Sequence, residues 1–206
     1  MMQWLAALAG SYLIGSIPTA FLVVKRLKGV DVRTVGSGNV GATNVTRAAG
    51  FRAGLFVFSI DVAKGLAAVL LVAPALQPQP APLFRLACGF AAVVGHIFPL
   101  FLKFHGGKGV ATTIGVLASV YPGVALICGG VWLAGFLAGR YVSVASIAAM
   151  ACLPPLLFAM QRPPAEIRLG AALALLVILK HRSNIQRLLA GTEHRVGRPR
   201  NHAQGR

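Results

Sequence analysis

The residues from Lys103 to Thr113, KFHGGKGVATT, place a Gly-Gly-Lys-Gly turn between two almost wholly apolar runs. Gly106, Gly107 and Gly109 carry no Cβ, so successive N–H groups can converge on an anion, and Lys108 adds a mobile cation with three donors. A helix opening at Val110 and running through Thr112 would aim its unpaired N–H groups at the same point. The ligand that suits such a turn is a phosphate. The turn is not a Walker A loop, because Leu102 stands where the first glycine belongs and Gly109 follows the lysine in place of Ser or Thr. A nucleotide is therefore not expected, and a glycine hinge with a snorkelling lysine is the plain alternative.

Two further stretches have related chemistry. In GSGNVGATNVTR, Gly36, Gly38 and Gly41 satisfy G-x-G-x-x-G, but no strand precedes them and no βαβ unit surrounds them, which removes the dinucleotide reading. What remains is a loop of small donors and acceptors, Ser37, Asn39, Thr43 and Asn44, followed by Arg47, whose guanidinium can grip a phosphate with two parallel hydrogen bonds. In HRSNIQRLLAGTEHR, His181, Asn184 and Arg187 recur at helical spacing and present an imidazole, an amide and a guanidinium on one face. Gly191 and Thr192 then lead to Glu193, which is placed to hold an Arg or Lys of another motif. A basic helix lying on lipid headgroups would explain the same stretch.

These motifs must be positioned by membrane helices. Of 206 residues, 56% are apolar and 12% charged, with a mean hydropathy of +0.74, too apolar for an ordinary water-soluble domain. The net charge of +16 is not accompanied by any recognisable nucleic-acid-binding module, so membrane lipids and anionic substrates are the expected partners. Residues 1–197 read as one membrane domain and 198–206 as a basic, disordered tail. Cys88, Cys128 and Cys152 lie inside apolar runs without metal-ligand spacing and read as packing residues. Asp31, Asp61, Glu166 and Glu193 are the only acids. They form no cluster for Mg²⁺, no paired histidines suit zinc, and neither a metal nor another cofactor is expected.

Crossing the hydrocarbon takes about 20 mostly apolar residues. Spans are expected over 3–24, 53–76, 83–102, 142–161 and 164–180, with Pro18 and Pro99 as kinks and Pro74, Pro78, Pro80 and Pro82 in an outer loop. The first run carries no basic leader and is read as a span, not a signal peptide. Residues 110–139 are too long for one upright helix and too short for two complete ones. Tyr121-Pro122-Gly123 divides them into a hairpin of two short helices. Charge supports that division. It leaves Arg85, Arg162 and Arg168 on one side and Lys64 within a span, so sixteen of the twenty Lys and Arg share the other side. An all-α integral membrane protein of seven transmembrane helices follows, the fourth and fifth forming the short hairpin. Its amino terminus is outside, its carboxyl terminus is cytoplasmic, and all three polar motifs share the cytoplasmic face.

Other polar groups are candidates by position. Asp61 and Lys64, three residues apart in the second span, either neutralise one another and order the bundle or touch substrate. His96 reads as a hydrogen-bonded interior histidine. Ser143 and Ser146 open the sixth helix on the side of the site, with Ser146 in reach of a ligand. No histidine is followed five positions later by aspartate, which removes the His-x4-Asp acyltransferase design, and no serine sits in a nucleophile elbow. A transporter of phosphorylated or other organic anions is the competing reading, hinted at by VGATN (residues 40–44) and GVATT (residues 109–113). Passage would place the polar groups near the bilayer midplane, however, whereas here they gather at one face. A lipid-binding scaffold would need only the basic residues.

In SGNVGATNVTR (residues 37–47), GHIFPLFLKFHGGKGVAT (residues 95–112) and HRSNIQRLLAGTEHR (residues 181–195), the chain resembles the bacterial acyl-phosphate:glycerol-3-phosphate acyltransferase family, the PlsY type. The likeness extends to DVAKG (residues 61–65) and YVSVASI (residues 141–147) and covers almost the whole chain. Arg195 stands where lysine is expected in many relatives. The resemblance implies transfer of a fatty acyl group from acyl phosphate to the 1-hydroxyl of glycerol 3-phosphate, in the bacterial cytoplasmic membrane, fed by a separate enzyme that makes acyl phosphate. For that chemistry Arg47, Lys108 and the Gly36–Asn44 loop are expected to hold phosphates, and Ser37 and Asn184 to position the reacting carbonyl or hydroxyl. His181 would orient glycerol 3-phosphate or accept a proton.

Overall fold

The computed structural model describes residues 1–197, so the expected tail of residues 198–206 lies outside the described residues. Every regular element among the described residues is helical. Helices α1 (Met2–Ser16) and α2 (Thr19–Lys28) replace the single kinked span expected over 3–24. Pro18 has no N–H and drives Ile17 out of the helical region, to φ −55° and ψ 120°, so the helix breaks outright. Gly29, at φ 71°, closes α2, and Lys25, Arg26 and Lys28 in its last turn oppose the helix dipole.

A glycine-rich loop leads to α3 (Ala42–Ala49), and α4 (Phe51–Ala67) follows. A wider turn over Ala68–Val72 joins α4 to α5 (Ala73–Leu76), so the helical path is unbroken from 51 to 76. Pro74 therefore sits inside this path and not in the outer loop. The wider turn before it, in which Ala73 N–H bonds to the Ala68 carbonyl, accommodates a residue without an N–H inside the path. Pro82 opens α6 (Pro82–Ile97).

The run over 110–139 divides at Tyr121, as the Tyr-Pro-Gly turn dictates, into α7 (Val110–Val120) and α8 (Pro122–Gly139). Only α7 is short. With 18 residues α8 is long and apolar enough to cross a membrane alone, which corrects the expectation of two short helices. The remaining path is α9 (Val142–Ala151), α10 (Leu153–Ala159), α11 (Pro164–Lys180) and α12 (Arg182–Leu189). Five stretches have the length and composition of a membrane span: 2–28, 51–76, 82–102, 122–139 and 142–159.

Backbone contact holds α4 against α7. A Cβ on Gly65 would fall 2.2 Å from the Thr112 carbonyl oxygen, and one on Gly115 would fall 2.1 Å from that of Val62. Small residues at such crossings let helices touch where lipid offers no hydrophobic drive to associate. One apolar core joins Val93, Ile97, Val116, Leu117, Leu153, Leu173 and Val177 across α6, α7, α10 and α11. A second, of Val24, Val32, Val40, Val45 and Val57, lies under the glycine loop. The outer face of α8 stays apolar and bare, with Leu126 77% and Leu137 68% exposed, as expected of a lipid-facing surface.

Candidate active site

The first loop is built around Asn44. Its side chain is buried, its Oδ1 accepts from the Ser37 N–H at 2.9 Å, and its Nδ2 donates to the carbonyls of Val32 and Val35 at 3.1 and 3.0 Å. Gly36 and Gly38 supply the left-handed turns, and a Cβ on Gly36 would lie 2.2 Å from Asn44 Oδ1. Asn44 thus spends its amide on the loop, leaving Ser37, Thr43 and Arg47 exposed at the surface and Asn39 and Gly41 half-buried.

The second motif is folded onto the end of α6. Gly106 N–H donates to the Ile97 carbonyl at 3.2 Å and Gly107 N–H to that of His96 at 3.1 Å, while Gly109, at φ 88°, opens α7. A Cβ on Gly107 would be 2.7 Å from the Val40 carbonyl oxygen, so this turn rests directly on the first loop.

The third motif begins where α11 gives way to α12. His181 Nδ1 faces the Val177 carbonyl at 2.8 Å. Because a carbonyl only accepts, Nδ1 carries the proton and Nε2 is left as an acceptor. A turn at Gly191 folds Glu193 back over α12, with the N–H groups of Thr192 and Glu193 donating to the Arg187 carbonyl at 2.8 and 3.1 Å.

Glu193 then collects the site. Its Oε1 accepts from Ser143 Oγ at 2.8 Å and from Asn184 Nδ2 at 2.7 Å, and its Oε2 accepts from Arg187 Nε at 2.7 Å. Asn184 Oδ1 in turn accepts from Lys108 Nζ. The expected neighbour of Glu193, a cation from another motif, is instead Arg187 of its own. The link between motifs runs through Asn184, which touches both Lys108 and Glu193. Arg195 ties the chain beyond to the α8–α9 turn, donating to the Gly139 carbonyl at 3.1 Å.

The electrostatics follow from this packing. Burial pushes the Lys108 ammonium down to about 8; Glu193 opposes that shift while Arg187 and Arg47 add to it. Burial, aided by Lys108, pushes His181 down to about 4, so its imidazole is neutral in ordinary buffers. Burial would raise the Glu193 carboxyl, but hydrogen bonds from Asn184, Ser143 and Arg187 prevail and hold it below the usual carboxylate range. The result is a cluster in which one carboxylate is paired with Arg187 and joined through Asn184 to Lys108.

Two expected site residues point elsewhere. Ser146 Oγ donates to the Val142 carbonyl at 2.8 Å and accepts from Trp132 Nε1 at 3.1 Å, so it faces α8. Thr112 is wholly buried at the α4–α7 crossing. Ser143, one helical turn before Ser146, is the serine that reaches Glu193.

Residues 5–191 match the family model described as glycerol-3-phosphate acyltransferase. The chain belongs to the glycerol-3-phosphate acyltransferase family. Similar members include glycerol-3-phosphate acyltransferase 2 of Moorella thermoacetica, 46% identical over 195 residues, spanning 95% of this chain and 98% of that protein. The glycerol-3-phosphate acyltransferase of Aquifex aeolicus is 47% identical over 185 residues, spanning 90% and 95%. The fold matches the crystal structure of PlsY (YgiH), an integral membrane glycerol 3-phosphate acyltransferase, in its glycerol 3-phosphate form. The TM-score is 0.86 at 44% identity, covering 94% of this chain and 96% of that one. The lysophosphatidic acid form of the same protein matches with a TM-score of 0.83. This glycerol-3-phosphate acyltransferase is accordingly an integral membrane protein, and its relatives favour acyl transfer over anion transport.

Proposed function

We propose that this glycerol-3-phosphate acyltransferase takes its acyl group from acyl phosphate and delivers it to the 1-hydroxyl of sn-glycerol 3-phosphate, giving 1-acylglycerol 3-phosphate and inorganic phosphate. The observation that carries the reading is the chain Lys108–Asn184–Glu193–Arg187, with the Gly36–Arg47 loop packed beneath it, which gathers cations and amide donors around one carboxylate. Two phosphorylated substrates call for such an excess of positive charge. Arg47 and Lys108 hold phosphate at the Gly109 opening of α7, with Thr43, Asn39 and Ser37 presented on the first loop; Gly106 and Gly107, expected to offer their N–H groups to the anion, spend them on the Ile97 and His96 carbonyls and shape the turn instead. Asn44, Thr192 and Glu193 order the loops that carry these groups.

The hydroxyl oxygen attacks the acyl carbonyl, the C–O bond to phosphate breaks, and the proton leaves to a phosphate oxygen. His181 is too weak a base at about 4 to take that proton through the reaction; its Nε2 accepts a hydrogen bond and orients the hydroxyl. Acyl phosphate is already activated, so positioning and charge neutralisation supply most of the rate.

The same proposal includes the topology. Residues 1–197 form one membrane domain of seven crossings, with the amino terminus outside and the site on the cytoplasmic face of the inner membrane. The strong cationic bias of that face supports this orientation. A separate enzyme supplies acyl phosphate. The test is to give the purified protein labelled glycerol 3-phosphate with either acyl phosphate or acyl-CoA. Product is expected with acyl phosphate alone. Equal turnover with acyl-CoA would overturn the donor, and uptake of glycerol 3-phosphate into proteoliposomes without lysophosphatidate formation would favour transport.

A further inference from the structure

One buried polar cluster takes no part in the site just described. The side chains of Asp61, Lys64 and His96 are each less than a tenth exposed. Lys64 Nζ donates to Asp61 Oδ1 at 2.7 Å and to the Ile17 carbonyl at 2.7 Å, at the break that Pro18 opens between α1 and α2. His96 Nδ1 stands 3.6 Å from the same Asp61 oxygen. The cluster therefore ties together the α1–α2 break, α4 and α6.

Its far side carries the Gly-Gly-Lys-Gly turn. The His96 carbonyl accepts from Gly107 N–H, the Ile97 carbonyl accepts from Gly106 N–H, and a Cβ on Gly107 would fall 2.1 Å from His96 Nε2. The imidazole edge occupies the space a side chain at residue 107 would need. Lys108 is the next residue along. The cavity bounded by Thr19, Asp61, Lys64, His96 and Gly106 is about 10 Å³, room for a single water and far too small for a phosphate. A phosphate does not fit beside these side chains in this arrangement.

A buried ion pair stabilises little more than apolar residues of the same volume would, so its value here is geometric. Resting on the reading of Lys108 given above, we propose that Asp61, Lys64 and His96 are positioning residues that set the height of the Gly106–Gly107 turn and hence of the Lys108 ammonium. The order of dependence is explicit: Asp61 and Lys64 fix the imidazole, the imidazole fixes the turn, and the turn aims the cation.

Two variants test this. His96→Ala removes the support and leaves the ion pair, whereas Asp61→Leu with Lys64→Met removes both charges together and spares the fold the cost of one unpaired ion. In each, KM for glycerol 3-phosphate is expected to rise about tenfold while kcat falls less than about threefold. The amides of Gly106, Gly107 and Lys108 should exchange with solvent faster than in the parent, and the melting temperature of the double variant should be held. Both KM values staying within about twofold of the parent, unchanged exchange in the turn, or activity lost only in step with the melting temperature would each overturn the cluster's role. Full turnover in Lys108→Ala would instead remove the underlying reading. An inactive Lys108→Ala beside unmoved KM values brings down the cluster alone.

Discussion

Glu166 and Glu193 are both buried carboxylates that hold an arginine, and they sit at opposite ends of α7. Glu166 accepts from Tyr121 Oη at 2.5 Å and from Arg162 Nε at 2.9 Å, while the Arg162 guanidinium lies 4.9 Å over the Tyr121 ring. Glu193 accepts from Arg187 Nε at 2.7 Å, but Ser143 and Asn184 share it, and Lys108 hangs from the far side of Asn184. Around Glu166 one cation answers one anion, and the phenol and guanidinium close over them. Around Glu193 one arginine pairs with the carboxylate, while Lys108 is joined to it only through Asn184 and also feels the charges of Arg187 and Arg47. Both clusters order the chain; the one joined to Lys108 is where the function proposed above puts a phosphorylated ligand.

Variants at each end sharpen that contrast. Lys108→Ala is expected to lower kcat/KM by about a thousandfold or more with the melting temperature held, since it deletes the cation that the proposed function places on substrate phosphate. Near-parental turnover would break the comparison at once. Glu193→Gln should cost about tenfold in kcat/KM by loosening Asn184 and Arg187, and it carries a pH signature. Lys108 titrates at about 8, so activity that needs its charged form falls as pH rises through that value. Because Glu193 raises the Lys108 value and Arg187 lowers it, Glu193→Gln should move this alkaline limb to lower pH and Arg187→Gln to higher pH, read from the kcat/KM profile of the free enzyme. Tyr121→Phe removes a hydrogen bond to a buried charge at the other end and is expected to cost about 2 kcal/mol of stability, with turnover per folded molecule unchanged. A change in KM there would mean that the closed cluster also serves the site. The smallest effect is a null one. His181 is held down at about 4, so His181→Gln should leave the position of any acid limb near about 6, where the substrate's own phosphate titrates, unmoved in the residual kcat/KM profile.

The parts legible in the sequence were those written in local chemistry. The glycine spacing around Lys108, the Tyr121-Pro122-Gly123 turn and the apolar runs all have immediate backbone causes, and the elements follow them. Proline was harder, because its effect depends on where the helix already stands. Pro18 breaks α1 from α2, whereas Pro74 is accommodated by the wider turn before it. Side chains at helical spacing were harder still. Ser143 and Ser146 lie one turn apart on α9, and only tertiary neighbours, Glu193 for one and Trp132 for the other, decide which faces the site. Nor could spacing reveal that Asn44 would turn inward to hold the loop, or that Asn184 and not Glu193 would bridge to Lys108.

The unequal lengths of α7 and α8 have a consequence for how the two substrates meet. From Tyr121 the eleven residues of α7 climb about 16 Å toward Lys108, and the eighteen of α8 climb about 27 Å toward Arg140. Along the helix axes, the lysine turn therefore stands roughly 10 Å short of the Arg140 end. On the function proposed above, a water-soluble phosphate ester bound at Lys108 and an acyl chain lodged among the apolar helices would meet at that lower level. Under that proposal each reactant would keep to its own phase until the bond is made, and the new lipid would form among its neighbours.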